Sequence, residues 1–325
     1  MRLRPELQAL RSDDAPQRRL QGRLIAALDD WRARASVARV LDDLAQFGGG
    51  APLGTLPALA ALFRRDDPAA GRLCGGLVSL LTARLAAAPL GLVPLRHHCD
   101  ETISTLAIAS FGSATLALQA VDGTGIARRK AAVSVGFAPG ETYEHVLAGG
   151  AEADLLRRMA QRPGGTELGS SPCQLGPGTV MQRDSANEAL VLRNVSGILV
   201  SLKLQRRAGA GSVTREYRLS DGALVHQAAA CARESRLELT AALLGRMGRR
   251  DAAPLLAAMA EEETGQSLRW QSLKECLGLD TAEGFAALCR IAASAADPLA
   301  APAGALRAQL LETYPELAGA GPCPA

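Results

Sequence analysis

The 325-residue chain, 48% hydrophobic and 21% charged, has the composition of a folded globular protein, which excludes collagen-like, low-complexity and disordered classes. A net charge of +3 marks neither a nucleic-acid surface nor an acidic-membrane surface, and aromatics at 3% supply no stacking platform for single strands. Seven cysteines without a CxxC pair, behind an amino terminus (MRLRPELQALRSDDAPQRR) that lacks the apolar core of a secretory signal, place the protein in the cytoplasm with reduced thiols.

In chain order, Leu20, Leu24, Leu28 and Trp31 recur at helical spacing, and Val37, Val40, Leu41, Leu44 and Phe47 continue the run until Gly48-Gly49-Gly50 stops it. Asp67 before Pro68 has the form of a helix start, and Leu73, Leu77, Leu80 and Leu81 make the buried face that follows. Residues 1–90 therefore read as a helical region. Two apolar stretches fail as membrane spans. Leu73 to Leu95 contains Gly75, Gly76, Pro89 and Pro94, and Thr102 to Val121 alternates like a hairpin around Phe111-Gly112-Ser113.

Past Pro94 the apolar period changes from about 3.6 to 2. Val133, Val135 and Phe137, then Ile198, Val200, Leu202 and Leu204, then Val213, Arg215, Tyr217 and Leu219 alternate as half-buried antiparallel strands do. Asp221-Gly222 closes the last of them as a turn. A short helix is expected over Ala151 to Gln161, before a Gly/Pro/Ser-rich stretch from Pro163 to Gly178. Segments 96–118 and 182–204 parallel one another, with Gly112 matching Gly197, and each precedes a glycine turn and a histidine, His145 and His226. Residues 91–232 thus read as an antiparallel β region with an internal duplication.

Helices return over 233–325. Their expected buried stripes are Leu237, Ala241, Leu244 and Met247; Leu255, Leu256 and Met259; Trp270, Leu273, Cys276 and Leu277; and Phe285, Leu288, Cys289 and Ala292. Ser267, Asp280 or Thr281, and Asp297-Pro298 supply the starts. The fold class is α+β: a helical amino-terminal region, an antiparallel β middle and carboxy-terminal helical hairpins. The run GRMGRRDAAPLLAAMAEEE followed by SLRWQSLKECLGLD resembles HEAT-type helical repeats, a resemblance that covers the last 85 or so residues and implies a protein-binding surface.

All four histidines, His97, His98, His145 and His226, fall in the β region, with Glu101 and Glu144 close to them in sequence. Two imidazoles and a carboxylate make a donor set for a divalent transition metal such as iron, manganese, nickel or zinc. The arrangement resembles a cupin, a small jelly-roll β-barrel. The resemblance implies that His98, or His97 in its place, with Glu101 stands for the first cupin motif and that Pro139-Gly140 with His145 stands for the second. The chain departs from the pattern in having adjacent histidines, whose side chains point to opposite faces of a strand. In the second copy, Arg183 and Asp184 stand at the first-motif place and only His226 remains. The same parity separates Cys99 from His98, against a thiolate–imidazole pair. No P-loop, third dinucleotide-fingerprint glycine or GxSxG elbow occurs.

Two functions follow. One is a cytoplasmic binding or assembly protein, with a protein partner on the carboxy-terminal helices and a small-molecule ligand in the β region. The other is a metal-dependent cupin-type enzyme, an oxygenase or isomerase, with His98, Glu101 and His145 as ligands. Neither nucleic acid nor membrane is an expected partner.

Overall fold

A computed structural model describes residues 13–88 and 90–319. They form two compact units, one of residues up to 207 together with 218–223, the other of 208–217 and 224 onward.

Among the described residues the first unit begins with helices α1 (Ala15–Arg32), α2 (Ala35–Gly48), α3 (Pro57–Ala61) and α4 (Ala69–Ala87). The expected first run is split, because Arg34 takes an extended conformation (ψ 132°) and restarts the helix. α4 starts one residue later than expected, with Pro68 at the N-cap position, and the Asp67 carboxylate before it accepts the Ala69 N–H at 2.9 Å. Trp31, Val40, Leu44, Phe47, Leu59 and Leu77 are buried on the inner faces of these helices. Each such side chain contributes about 1.5–3 kcal/mol by leaving water.

These helices cover one face of a seven-stranded antiparallel sheet. Its strands are β1 (His97–Cys99), β2 (Ile103–Phe111), β3 (Ala114–Asp122), β5 (Gly140–Arg162), β6 (Gly165–Leu175), β7 (Val180–Asp184) and β8 (Glu188–Arg207). The spatial order is β1-β2-β3-β8-β5-β6, with β7 also pairing β5. A short helix α5 (Gly123–Arg128) and strand β4 (Ser134–Phe137) connect β3 to β5. Strand parity sorts the side chains. Ile108, Leu116, Tyr143, Leu202 and Leu204 face the helices, whereas Val121, Val146, Val195 and Leu199 form a separate core on the opposite face.

Two expectations are corrected here. Ala151 to Gln161 is not helical but the second half of β5, hydrogen-bonded to β8 on one side and to β6 on the other. The backbone partners override the helix propensity of Ala, Glu, Leu and Arg. The Pro163–Gly178 stretch is mostly strand β6. The paired segments of the expected duplication also take different shapes. Gly112 (φ +54°) turns the β2–β3 hairpin, while Gly197 (φ +71°) lies inside the single strand β8.

Strands β5 and β8, of 23 and 20 residues, bend together. Gly149 has φ +79°, and a Cβ there would stand 2.0 Å from the Ile198 carbonyl oxygen. Gly197 sits in the same stretch of β8, where the pairing register shifts. Only glycine fits this left-handed, close-packed bend.

The second unit carries a ribbon of β9 (Val213–Arg218) and β10 (Leu224–Ala229), then α6 (Ala232–Arg246), α7 (Ala253–Glu261), α8 (Gln266–Leu279), α9 (Thr281–Ala293) and α10 (Ala300–Thr313). Leu256, Leu273, Cys276, Phe285, Leu288 and Ile291 make its core. Asp280 caps α9 through the Glu283 N–H, as its position suggests. Ser267 does not cap α8, which begins one residue earlier behind Gly265. Met247 and Leu255, expected in buried stripes, are 59% and 60% exposed. The Arg269 guanidinium is buried against the Ala260 carbonyl and pairs with both oxygens of Asp297.

Candidate ligand cleft on the open sheet face

The sheet face away from the helices holds a cleft of about 640 Å³, within the size range of small-molecule sites. Its walls are largely apolar, with Ile103, Val121, Ile126, Leu190, Leu192 and Leu199 contributed by β2, β3, α5 and β8. Its floor is polar. Glu144 on β5 is 3% exposed, and alternation directs it away from the helices that its neighbours Tyr143 and His145 face.

Three strands converge on that carboxylate. The Arg183 guanidinium, from β7, donates to Oε2 at 2.8 Å. The Ser201 hydroxyl, from β8, donates to Oε1 at 2.9 Å, and the Lys203 ammonium lies 3.5 Å from the same oxygen. Register explains the convergence, because Thr142 pairs with Arg183 on one side of β5 and Glu144 pairs with Lys203 on the other. A buried carboxylate requires such partners, since desolvation of a lone charge costs several kcal/mol. The Arg183 Nε remains buried without a hydrogen-bond partner among the described residues.

Charge in the cleft is asymmetric. Arg129, Lys130, Arg183, Arg193 and Lys203 line it against only Glu144 and Asp154. Asp154 is itself engaged by Arg193 at 3.4 Å. Outside the lining, burial pushes the Cys173 thiol up from its ordinary range.

The sequence-derived metal ligands lie elsewhere. His97, His98 and Glu101 are all exposed, the histidines on β1 at the edge of the sheet and Glu101 in the turn after it. The His97 ring binds the Leu95 carbonyl through Nδ1, and His98 Nε2 stands 3.7 Å from Asp100. Backbone N–H groups of Ile103 and Thr102 hold the Asp100 carboxyl below its usual range. His145 is buried on the helix-facing side of β5, where Nδ1 meets the Leu62 carbonyl at 2.7 Å. A carbonyl only accepts, so Nδ1 carries the proton there.

His97 and His145 do share one register row, through Leu106, Leu118 and Leu202. Four strand spacings separate them, about 19 Å along the sheet. The set His98, Glu101 and His145 is therefore not brought together, and among the described residues no three His, Cys, Asp or Glu side chains gather to hold a metal ion. His226 is an exposed residue of β10 in the second unit.

The cleft residues left a faint trace in the sequence. Lys203 is one of only three lysines and interrupts an apolar strand, and Arg183 stands at the place where the repeat lacks a histidine.

No protein-family model matches the chain, and no curated protein is similar to it. Among solved structures it is similar to the 7S globulin of Momordica charantia, at 12% identity and TM-score 0.26, over 39% of this chain and 36% of the globulin. It is similar also to a cupin superfamily protein from Desulfitobacterium hafniense, at 14% identity and TM-score 0.23, over 34% of this chain and 83% of that one. A sugar phosphate isomerase of the cupin superfamily from Silicibacter pomeroyi matches at 12% identity and TM-score 0.24, over 37% and 67% of the two chains. No helix among the described residues is long and apolar enough to cross a membrane.

Proposed function

We propose that the chain is a cytoplasmic binding protein whose β unit takes a small anionic molecule into the cleft and whose carboxy-terminal unit meets a protein partner. The observation that carries this reading is the floor of the cleft. A fully engaged Glu144 leaves Lys203, Lys130 and the Arg183 Nε as surplus donors inside apolar walls. Apolar enclosure with a few convergent charges is the usual composition of a small-molecule site. Cationic donors of one sign select an anion.

Titration calorimetry of the full chain with inorganic phosphate and with succinate tests the reading. Saturable uptake of at least one probe is expected, weakened about tenfold in Lys203→Met, the equivalent of about 1.4 kcal/mol. Heats of the same size in wild type and variant, or none with either probe, would remove the cleft as the site.

The partner surface is supported by Leu239, Leu243 and Met247 on α6, spaced four residues apart and 57–69% exposed. Arg236 and Arg246 on the same helix are exposed beside them. A HEAT-like use of this unit would present these apolar side chains to an acidic amphipathic helix, read at i, i+4 spacing.

A further inference from the structure

A second cavity, of about 470 Å³, lies in the helical layer of the first unit, between α1, α2, α3 and α4. Val37, Val40, Leu62 and Leu73 wall it, and the Trp31 ring closes one side. Trp31 is 2% exposed, yet its indole N–H has no hydrogen-bond partner among the described residues. Indole nitrogens in such places usually find an acceptor.

Space for one is held open by Gly76. A Cβ built there would meet only the Trp31 Nε1, at 3.6 Å, so the glycine leaves room beside that N–H. The mouth is cationic. Arg34, Arg39 and Arg72 line it, and no carboxylate does. Arg34 and Arg72 make no ion pair among the described residues, and Arg39 binds only the Ala35 carbonyl of its own helix. Of the acids on these helices, Asp29 pairs with Arg32, and Asp43 accepts from the Ala58 and Leu59 N–H groups at the start of α3.

We infer that this cavity is a binding site for an amphipathic carboxylic acid, whose apolar body fills the space between the helices while its carboxylate meets the Trp31 N–H and the arginine rim. An apolar cavity alone would take any hydrocarbon. The indole N–H without a partner and the one-signed rim select against neutral and cationic analogues, because only an anion answers both. The site is independent of the β cleft in residues and in chemistry.

The test uses the indole region of a 1H–15N spectrum of the full chain, where two signals, Trp31 and Trp270, are expected and Trp270→Phe assigns them. Decanoate, decan-1-ol and decyltrimethylammonium are titrated below their aggregation limits. Decanoate is expected to move the Trp31 signal downfield and saturably, with decanol at least tenfold weaker and the cation without effect. Gly76→Leu, which fills the cavity, should abolish the shift. Arg34→Gln with Arg72→Gln should weaken it about tenfold while leaving the free spectrum unchanged. Equal response to acid and alcohol, or a Trp31 shift that survives Gly76→Leu, would overturn the inference. Should Gly76→Leu fail to fold, the comparison of acid, alcohol and cation on wild type still decides it.

Discussion

At the scale of single residues, the cleft depends on a charge pair that neither partner can lose alone. Removing one member of a buried pair strands the other, at about 3–5 kcal/mol, whereas replacing both by apolar groups is often neutral. Arg183→Met is therefore expected to lower stability to urea, by less than that because Ser201 and Lys203 still face Glu144, and Glu144→Leu in the same chain to restore part of it. Two independent losses that simply add would show that the pair is not the stabilising unit. His145 makes the complementary case. His145→Ala removes the donor to Leu62, leaving a buried carbonyl short at about 1–3 kcal/mol. It should melt earlier than wild type while elemental analysis finds the same metal content in both. His145, preceded by the Pro139-Gly140 turn, reads from sequence as a ligand because residue type is visible and neighbours are not. Strand parity correctly separates residue 145 from residue 144, but which of the two faces carries helices depends on α3, some eighty residues away.

At the scale of elements, the helices were legible because their periodicity and end signals are local: Asp280 caps a helix where expected, and Asp67 lies one residue before the cap of another. The β5 strand was not. Its second half is built from good helix formers, and only the pairing of β6 and β8 along both edges makes it a strand. The bend in β5 offers a sharp comparison. Gly149→Ala meets both a left-handed φ and the Ile198 carbonyl, while Gly197→Ala meets the φ alone, with open space around it. The second should cost about 1–2 kcal/mol, the penalty for a side chain in that conformation, and the first clearly more. Chemical denaturation of the two variants checks the order; an equal cost would mean that the strand gives way at Gly149.

At the scale of the whole molecule, the α/β/α succession was legible from the change of period near Pro94 and its return after residue 233. The cleft was not, because Glu144, Arg183, Ser201 and Lys203 meet across strands that only the folded register brings side by side. The second unit carries its own pH signature. The Arg269 hydrogen bond holds the Asp297 carboxyl below its ordinary range. A folded-state value under the unfolded one gives stability that is complete above the unfolded pKa and fades as pH falls through the folded one. Melting of wild type should exceed that of Asp297→Asn at neutral pH, and the gap should close as pH drops below about 4. A gap independent of pH would assign the difference to packing.

One strand, β5, touches the linings of both cavities. Residue 144 forms the floor of one and residue 145 holds the carbonyl of Leu62, which lines the other. A backbone pleat cannot shift one of these side chains without shifting its neighbour. Whatever free energy an occupant of the helical cavity exchanges with an occupant of the cleft must then be equal in the two directions. Titrating either site with the other full therefore yields a single number, the coupling free energy between them.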